Sequence, residues 1–245
     1  MYVLEMNIKD RMTKEEIKEL NSKLKDATPQ EVINYFGELF GAKIALSTSL
    51  GAEDQVLTEM VSNSSSPIKV FTLDTGRLFP ETYDLIDRTS KKFKIKIDVY
   101  FPKHEAVQAM VAKKGMNLFF DSVENRKECC NTRKLEPLKR AFETIDAWIC
   151  GLRAEQSVTR TAIEIVEWDE NNHKLKINPL AHWSEKMVWD YIKEKKIPYN
   201  PLHDKSYPSI GCQPCTRAIF EGEDVRAGRW WWENPDTKEC GLHKK

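Results

Sequence analysis

The chain has 245 residues, 40% of them apolar, which suffices for one sizeable α/β core but not for two full domains. Lysine plus arginine and aspartate plus glutamate each number 38, so no global field draws the protein to nucleic acid or to an anionic membrane, and an anionic ligand must be met locally. The opening MYVLEMNIKDRM lacks a signal-length apolar run and nothing elsewhere approaches the ~20 apolar residues that span a bilayer, so a cytoplasmic protein is expected, its six cysteines serving as ligands, nucleophiles or core residues.

Two helices are expected first, Lys14 to Lys25 and Pro29 to Phe40, the second with Val32, Ile33, Phe36, Leu39 and Phe40 at helical spacing. Short apolar runs then alternate with helix-length segments. Lys43 to Leu46, Ile68 to Leu73, Ile95 to Phe101 and Ala147 to Leu152 read as strands, and the rhythm predicts a parallel sheet flanked by helices. Asn63-Ser64-Ser65-Ser66-Pro67 reads as a surface loop entering the second strand. After about Pro198 the pattern changes to turn residues, closely spaced cysteines, arginines, Trp230-Trp231-Trp232 and a final Cys240-Gly241-Leu242-His243. We expect a single α/β domain over residues 1–229, carrying the N-terminal helices and the cysteine segments, and a mobile C-terminal tail over 230–245.

Ser47-Thr48-Ser49-Leu50-Gly51-Ala52-Glu53-Asp54 links the first strand to the helical Gln55 to Val61. Such a loop offers unpaired amides and a positive dipole end to an anion, or is an ordinary strand-to-helix turn; the lysine-bearing P-loop and the dinucleotide fingerprint are both absent. Leu73-Asp74-Thr75-Gly76-Arg77 ends the second strand, where open parallel sheets bind ligands outside their carboxyl edges, although a tight turn with a solvated arginine fits as well.

Cys129-Cys130 and Cys212-Gln213-Pro214-Cys215 can deliver four thiolates to one soft metal centre. Structural zinc is the plainer metal reading; adjacent cysteines are awkward for a zinc knuckle, and Pro214 leaves fewer amides to the sulfurs, which favours an iron-sulfur cluster. Arg133, Lys134, Arg153, Arg160, Arg217, Arg226 and Arg229 lie near these cysteines or in the late loops, a pattern that suits a phosphate or sulfate pocket as well as a solvated surface. The tryptophan run reads mainly as packing, and Cys150, inside the strand Trp148-Ile149-Cys150, as an inert core thiol. Cys240 differs: Lys238, His243, Lys244 and Lys245 are near in sequence and favour the thiolate, so it is a nucleophile or a spare exposed thiol.

Taken in order, STSLGAEDQVL, LDTGRLFPETY, CCNTRKLEPL, GLRAEQSVTR, CQPCTR, GEDVRAGRWWWE and KECGLH resemble the assimilatory adenylylsulfate (APS) reductases, iron-sulfur members of the family that also acts on phosphoadenylylsulfate (PAPS). The similarity runs from about Ala42 to His243. It implies a fold of the adenine nucleotide alpha-hydrolase, or PP-loop, type. It also implies one 4Fe-4S cluster per chain on Cys129, Cys130, Cys212 and Cys215, with Lys134 between cluster and substrate and Cys240 as the catalytic thiol. Position by position, Ser47, Thr48, Ser49 and Gly51 would hold the phosphosulfate, Leu73 and Thr75 would meet the adenosine, and Arg153, Arg226, Arg229 and His243 would line the anionic end.

The activity implied is reduction of adenosine 5'-phosphosulfate to sulfite and AMP, in sulfate assimilation and cysteine biosynthesis, with thioredoxin or glutaredoxin as reductant. No nucleic acid or membrane partner is expected; the oligomeric state and the preference between APS and PAPS stay open. A cluster-dependent, ATP-using tRNA thiolase is the competing enzyme class, and it predicts an intact SGGxDS loop and a basic face that this chain lacks. A structural zinc module in a non-catalytic binding protein is the third reading.

Overall fold

A computed structural model describes residues 12–156 and 163–234. Both opening helices start on reciprocal caps. Thr13 before α1 (Lys14–Leu24) and Thr28 before α2 (Pro29–Phe40) accept an N–H from the glutamate three residues on, while Glu16 and Glu31 accept the Thr13 and Thr28 N–H groups, each at 2.7 Å. Pro29 at the first position presets the helical φ, and α2 buries Val32, Ile33, Phe36 and Phe40.

The chain then alternates β1 (Ile44–Thr48), α3 (Ala52–Ser62), β2 (Lys69–Leu73), α4 (Pro80–Phe93), β3 (Ile97–Tyr100) and α5 (His104–Lys114). There follow α6 (Val123–Cys130), a π-helical turn (Asn131–Leu135), α7 (Glu136–Phe142), β4 (Ala147–Ile149), β5 (Val166–Asp169), β6 (Lys174–Ile177) and α8 (Glu185–Glu194).

The six strands form one sheet in the order β3-β2-β1-β4-β6-β5, parallel except for β5, which runs antiparallel to β6. The expected strands are β1 to β4: β2, β3 and β4 are shorter than expected, whereas β1 starts one residue later and runs on through Ser47 and Thr48, which were expected in the loop. Strands β5 and β6 escape the apolar-run criterion because Val166-Glu167-Trp168-Asp169 and Lys174-Leu175-Lys176-Ile177 interleave charges, as edge strands do. Chain direction turns back at β1: β2 lies on one side of it and β4 on the other. The crevice outside the carboxyl ends of β1 and β4 is therefore the topological switch point at which such sheets bind ligands.

The main core gathers Phe36, Ile44, Leu46, Leu57, Trp148, Ile149 and Ile177, all wholly buried. A separate smaller core holds Met110, Leu118, Phe119 and Trp230 with Cys129 and Cys215. Of the expected tail, Trp230 and Glu233 are buried against this smaller core, and residues 235–245 lie outside the described residues. No helix among the described residues is long and apolar enough to cross a membrane.

Candidate active site

A cavity of about 360 Å³ opens at the switch point. Its first wall is the turn from β1 to α3. Ser47 and Thr48 end the strand, Leu50 adopts a left-handed φ of 61°, and Gly51 caps α3 with no side-chain bond to the first-turn amides, which leaves those donors toward the cavity. The turn is braced by Asp54, whose Oδ2 accepts both the N–H and the hydroxyl of Ser49, at 2.6 and 2.7 Å. Burial pushes the Asp54 carboxyl up to about 6 despite these bonds, and the neighbouring Glu53 charge adds to the shift. Gly151, just beyond β4, permits the fit, since a Cβ there would come 2.6 Å from Asp54 Oδ1.

The second wall follows β2. Leu73 and Thr75 line the cavity, and Asp74 holds the turn by accepting the Gly76 N–H at 2.7 Å and the Tyr83 hydroxyl at 2.9 Å. The Thr75 hydroxyl stands 3.2 Å from Cys212 Sγ, while its carbonyl accepts from Arg133 Nη1 at 2.8 Å. Thr75 thus touches the cysteine site as well as the cavity. Arg77 is committed to Met116 O and Asn117 Oδ1, and its carbonyl accepts the Gln213 N–H at 2.8 Å, which ties the second cysteine pair to β2.

The four cysteines meet here. Helix α6 ends on Cys129-Cys130, and the π-helical turn that follows brings Arg133 and Lys134 to the cavity; π-turns inside helices commonly mark functional sites. Cys212 and Cys215 flank a tight turn closed by a 2.9 Å bond from the Cys215 N–H to the Cys212 carbonyl. All four thiols line the cavity and pack in or against the smaller core. Burial pushes the Cys129 and Cys215 thiols up; the Arg133 charge opposes the shift at Cys129, and the Cys212 charge adds to it at Cys215. Two such thiols become thiolates only beside a strong positive centre, and a set of four sulfurs is what a soft iron-sulfur or zinc centre takes. No group of three or more His, Cys, Asp and Glu among the described residues stands in single-ion geometry.

The cationic end comes from the late loops. Arg226 and Arg229 both line the cavity, and Arg229 lies across Gly211 so closely that a Cβ there would come 2.2 Å from its Nη2. Trp230 is sandwiched between Arg229 at 4.9 Å and Arg126 at 4.7 Å, so the first tryptophan of the run packs, as expected. Two arginines behave differently from expectation. Arg217 leaves the cavity for a bidentate pair with Glu223 at 2.8 Å, and Arg153 lines the cavity but its Nε donates to Glu53 Oε1 at 2.8 Å. Cys150 is a core thiol pushed up to about 12 by burial, its Sγ 3.0 Å from Asn178 Oδ1.

The sequence from residue 43 to 218 matches the family model described as the phosphoadenosine phosphosulfate reductase domain. The chain belongs to this family. Among curated members, it is 57% identical over 202 residues to the adenosine 5'-phosphosulfate reductase of Allochromatium vinosum, covering 82% of this chain and 79% of that one. The protein of the same name from Sinorhizobium fredii is 46% identical, over 93% of this chain and 90% of its own. Among solved structures, the Candida auris phosphoadenylyl-sulfate reductase in its phosphate complex matches with a TM-score of 0.75 and 30% identity, covering 86% of this chain and 99% of that one. A yeast FAD synthetase, at 15% identity and a TM-score of 0.53 over 85% of this chain and 70% of its own, shares the fold alone. The fold implied by the sequence resemblance is thus the one adopted.

For this family member, the cavity gathers Ser47, Thr48, Ser49, Gly51, Leu73, Thr75, Lys134, Arg153, Arg226, Arg229 and the four cysteines Cys129, Cys130, Cys212 and Cys215, while Arg217 stays outside it. Cys240 and His243 lie outside the described residues. Sequence reasoning passed over Asp54, Arg126, His203 and Glu233. His203 is a largely buried cavity residue edge-on to Trp189, with its pKa lowered by burial. Arg126 and Glu233 carry no local mark because they are partners 107 positions apart, whereas the role of Asp54 is local, through Ser49 in the same turn.

Proposed function

We propose that this protein reduces adenosine 5'-phosphosulfate to sulfite and AMP, as a cytoplasmic enzyme of sulfate assimilation and cysteine biosynthesis. The observation that carries the reading is the convergence of the anion-suited β1 turn, the arginines of the late loops and two cysteine pairs on one cavity at the sheet's switch point. Cys129, Cys130, Cys212 and Cys215 would hold a 4Fe-4S cluster, which when bound supplies a compact charged centre that orders the surrounding residues and acts electrostatically beside Lys134.

The chemistry divides into two thiol steps. The Cys240 thiolate attacks the sulfuryl sulfur, the S–O bond to the phosphate breaks, and AMP leaves with that bonding pair, giving an S-sulfocysteine. A thiolate of thioredoxin or glutaredoxin then attacks the Cys240 sulfur, sulfite departs, and the mixed disulfide is resolved by the reductant's second thiol. The two electrons come from the thiols, which end as a disulfide. Lys134, Arg226 and Arg229, with the open amides of α3, neutralise charge on the sulfuryl oxygens and the departing phosphate. Asp54 keeps the β1 turn in shape, and Leu73 and Thr75 meet the adenosine. AMP phosphate is a good enough leaving group that no general acid is required.

Anaerobically purified protein should release sulfite from APS with a higher kcat/KM than from PAPS, and should contain about four irons with matching acid-labile sulfide per chain. Stoichiometric zinc without sulfide would sink the cluster assignment. Cys240→Ser should abolish sulfite release while leaving iron content and AMP binding intact, because serine is a far weaker nucleophile at neutral pH. Mass spectrometry after APS without reductant should place the sulfo adduct on the Cys240 peptide. Turnover by the serine variant would refute the nucleophile.

A further inference from the structure

Arg126 is wholly buried on α6, one turn before Cys130, and is hydrogen-bonded to it. Its Nε and Nη2 donate to Glu233 Oε1 and Oε2 at 2.9 and 2.7 Å, a fork-to-carboxylate pair whose side chains are 1% and 3% exposed. The same guanidinium lies over Trp230, whose backbone N–H donates to the Cys215 carbonyl at 3.1 Å, and the Glu233 N–H closes the turn onto the Trp230 carbonyl at 2.9 Å. The last described stretch of the chain is therefore fastened to both cysteine pairs, to the first through Arg126 and to the second through Cys215.

A buried ion pair of this kind contributes little over a well-packed apolar pair, because desolvation offsets most of the attraction; what it adds is a defined registration. Its location says what is registered. Cys240 follows Glu233 by seven residues, and at about 3.5 Å per extended residue its Cα cannot pass beyond about 25 Å from that anchor. We propose that Arg126 and Glu233 are positioning residues that fasten the root of the C-terminal segment to the cysteine site, so that delivery of Cys240 to the cavity depends on that site being intact. The inference rests on the nucleophile role proposed above for Cys240. It goes beyond that role by assigning the anchor.

The test uses iron-loaded enzyme and reads sulfo-adduct formation in a single turnover with APS, beside iron content, AMP affinity and the alkylation rate of Cys240 by iodoacetamide. Glu233→Gln should slow adduct formation by at least about tenfold, with iron content and AMP affinity held within about twofold and alkylation no slower, since a misplaced nucleophile loses rate without losing reactivity. Glu233→Asp should recover part of the rate. The doubly apolar Arg126→Met/Glu233→Leu variant should fold and keep iron yet stay slow. Wild-type adduct rates in Glu233→Gln or in the double variant, or loss of iron in both, would overturn the anchor. Absence of any adduct on Cys240 in the wild-type enzyme would instead overturn the nucleophile.

Discussion

Asp54 keeps a carboxyl where water does not reach, and its titration has a direct consequence. The group titrates near 6 in the folded chain against an ordinary 3.8, so between these values the folded state binds more protons than the unfolded one. Stability should fall as pH rises from about 4 to 6 by an amount approaching about 3 kcal/mol, and stay at the lower level above. Asp54→Asn, which keeps an acceptor for Ser49, should flatten that slope in urea titrations of the ligand-free protein; an unchanged slope would assign the penalty elsewhere. Gly211 makes a second residue-scale prediction. Because a Cβ would sit 2.2 Å from Arg229 Nη2, Gly211→Ala must move the guanidinium, and AMP affinity should drop about tenfold, the scale of one charge-assisted contact, with iron content retained. Isothermal titration with AMP checks it. The cysteine quartet was legible at this scale because its spacing is itself the signal. The Arg126–Glu233 pair was not, since its partners stand 107 positions apart and neither belongs to a motif.

Parallel strands covered by helices on both faces read as continuous apolar runs, which is why β1, β2, β3 and β4 were visible in the sequence, and apolar residues at helical spacing made α2 equally plain. The antiparallel pair β5 and β6 was invisible for the opposite reason: Glu167 and Lys176 interrupt the run and pair with each other at 3.2 Å. The π-helical turn that follows α6 was equally unread from the sequence. Asn178 stitches these edge elements together. Its amide donates to Glu164 O at 2.8 Å and Glu167 Oε2 at 3.0 Å, and its carbonyl oxygen meets Cys150 Sγ just past the end of β4. Asn178→Ala should cost about 2 kcal/mol by orphaning these buried groups and lower Tm by about 4–8 °C, read by calorimetry. A shift of under a degree would mean that β5 packs without it.

The molecule has two cores of unequal kind, an aliphatic one spanning the sheet and a small one in which sulfur and aromatic side chains surround the cysteines. Separately packed units open separately. With the proposed cluster in place, removing its iron with a chelator should therefore speed amide exchange in α6, the π-helical turn and residues 212–216 while leaving β1, β2 and β4 protected, and uniform loss of protection would show one cooperative unit instead. The strand order has a consequence of another sort, in time. Strand β1 lies at the centre of the sheet, yet of its two neighbours β2 follows it almost at once and β4 only after roughly 100 more residues, about 5–20 s of ribosomal synthesis. For that interval one edge of this central strand waits without its partner, and the nascent chain offers that open edge to whichever chaperone stands at the exit of the ribosome.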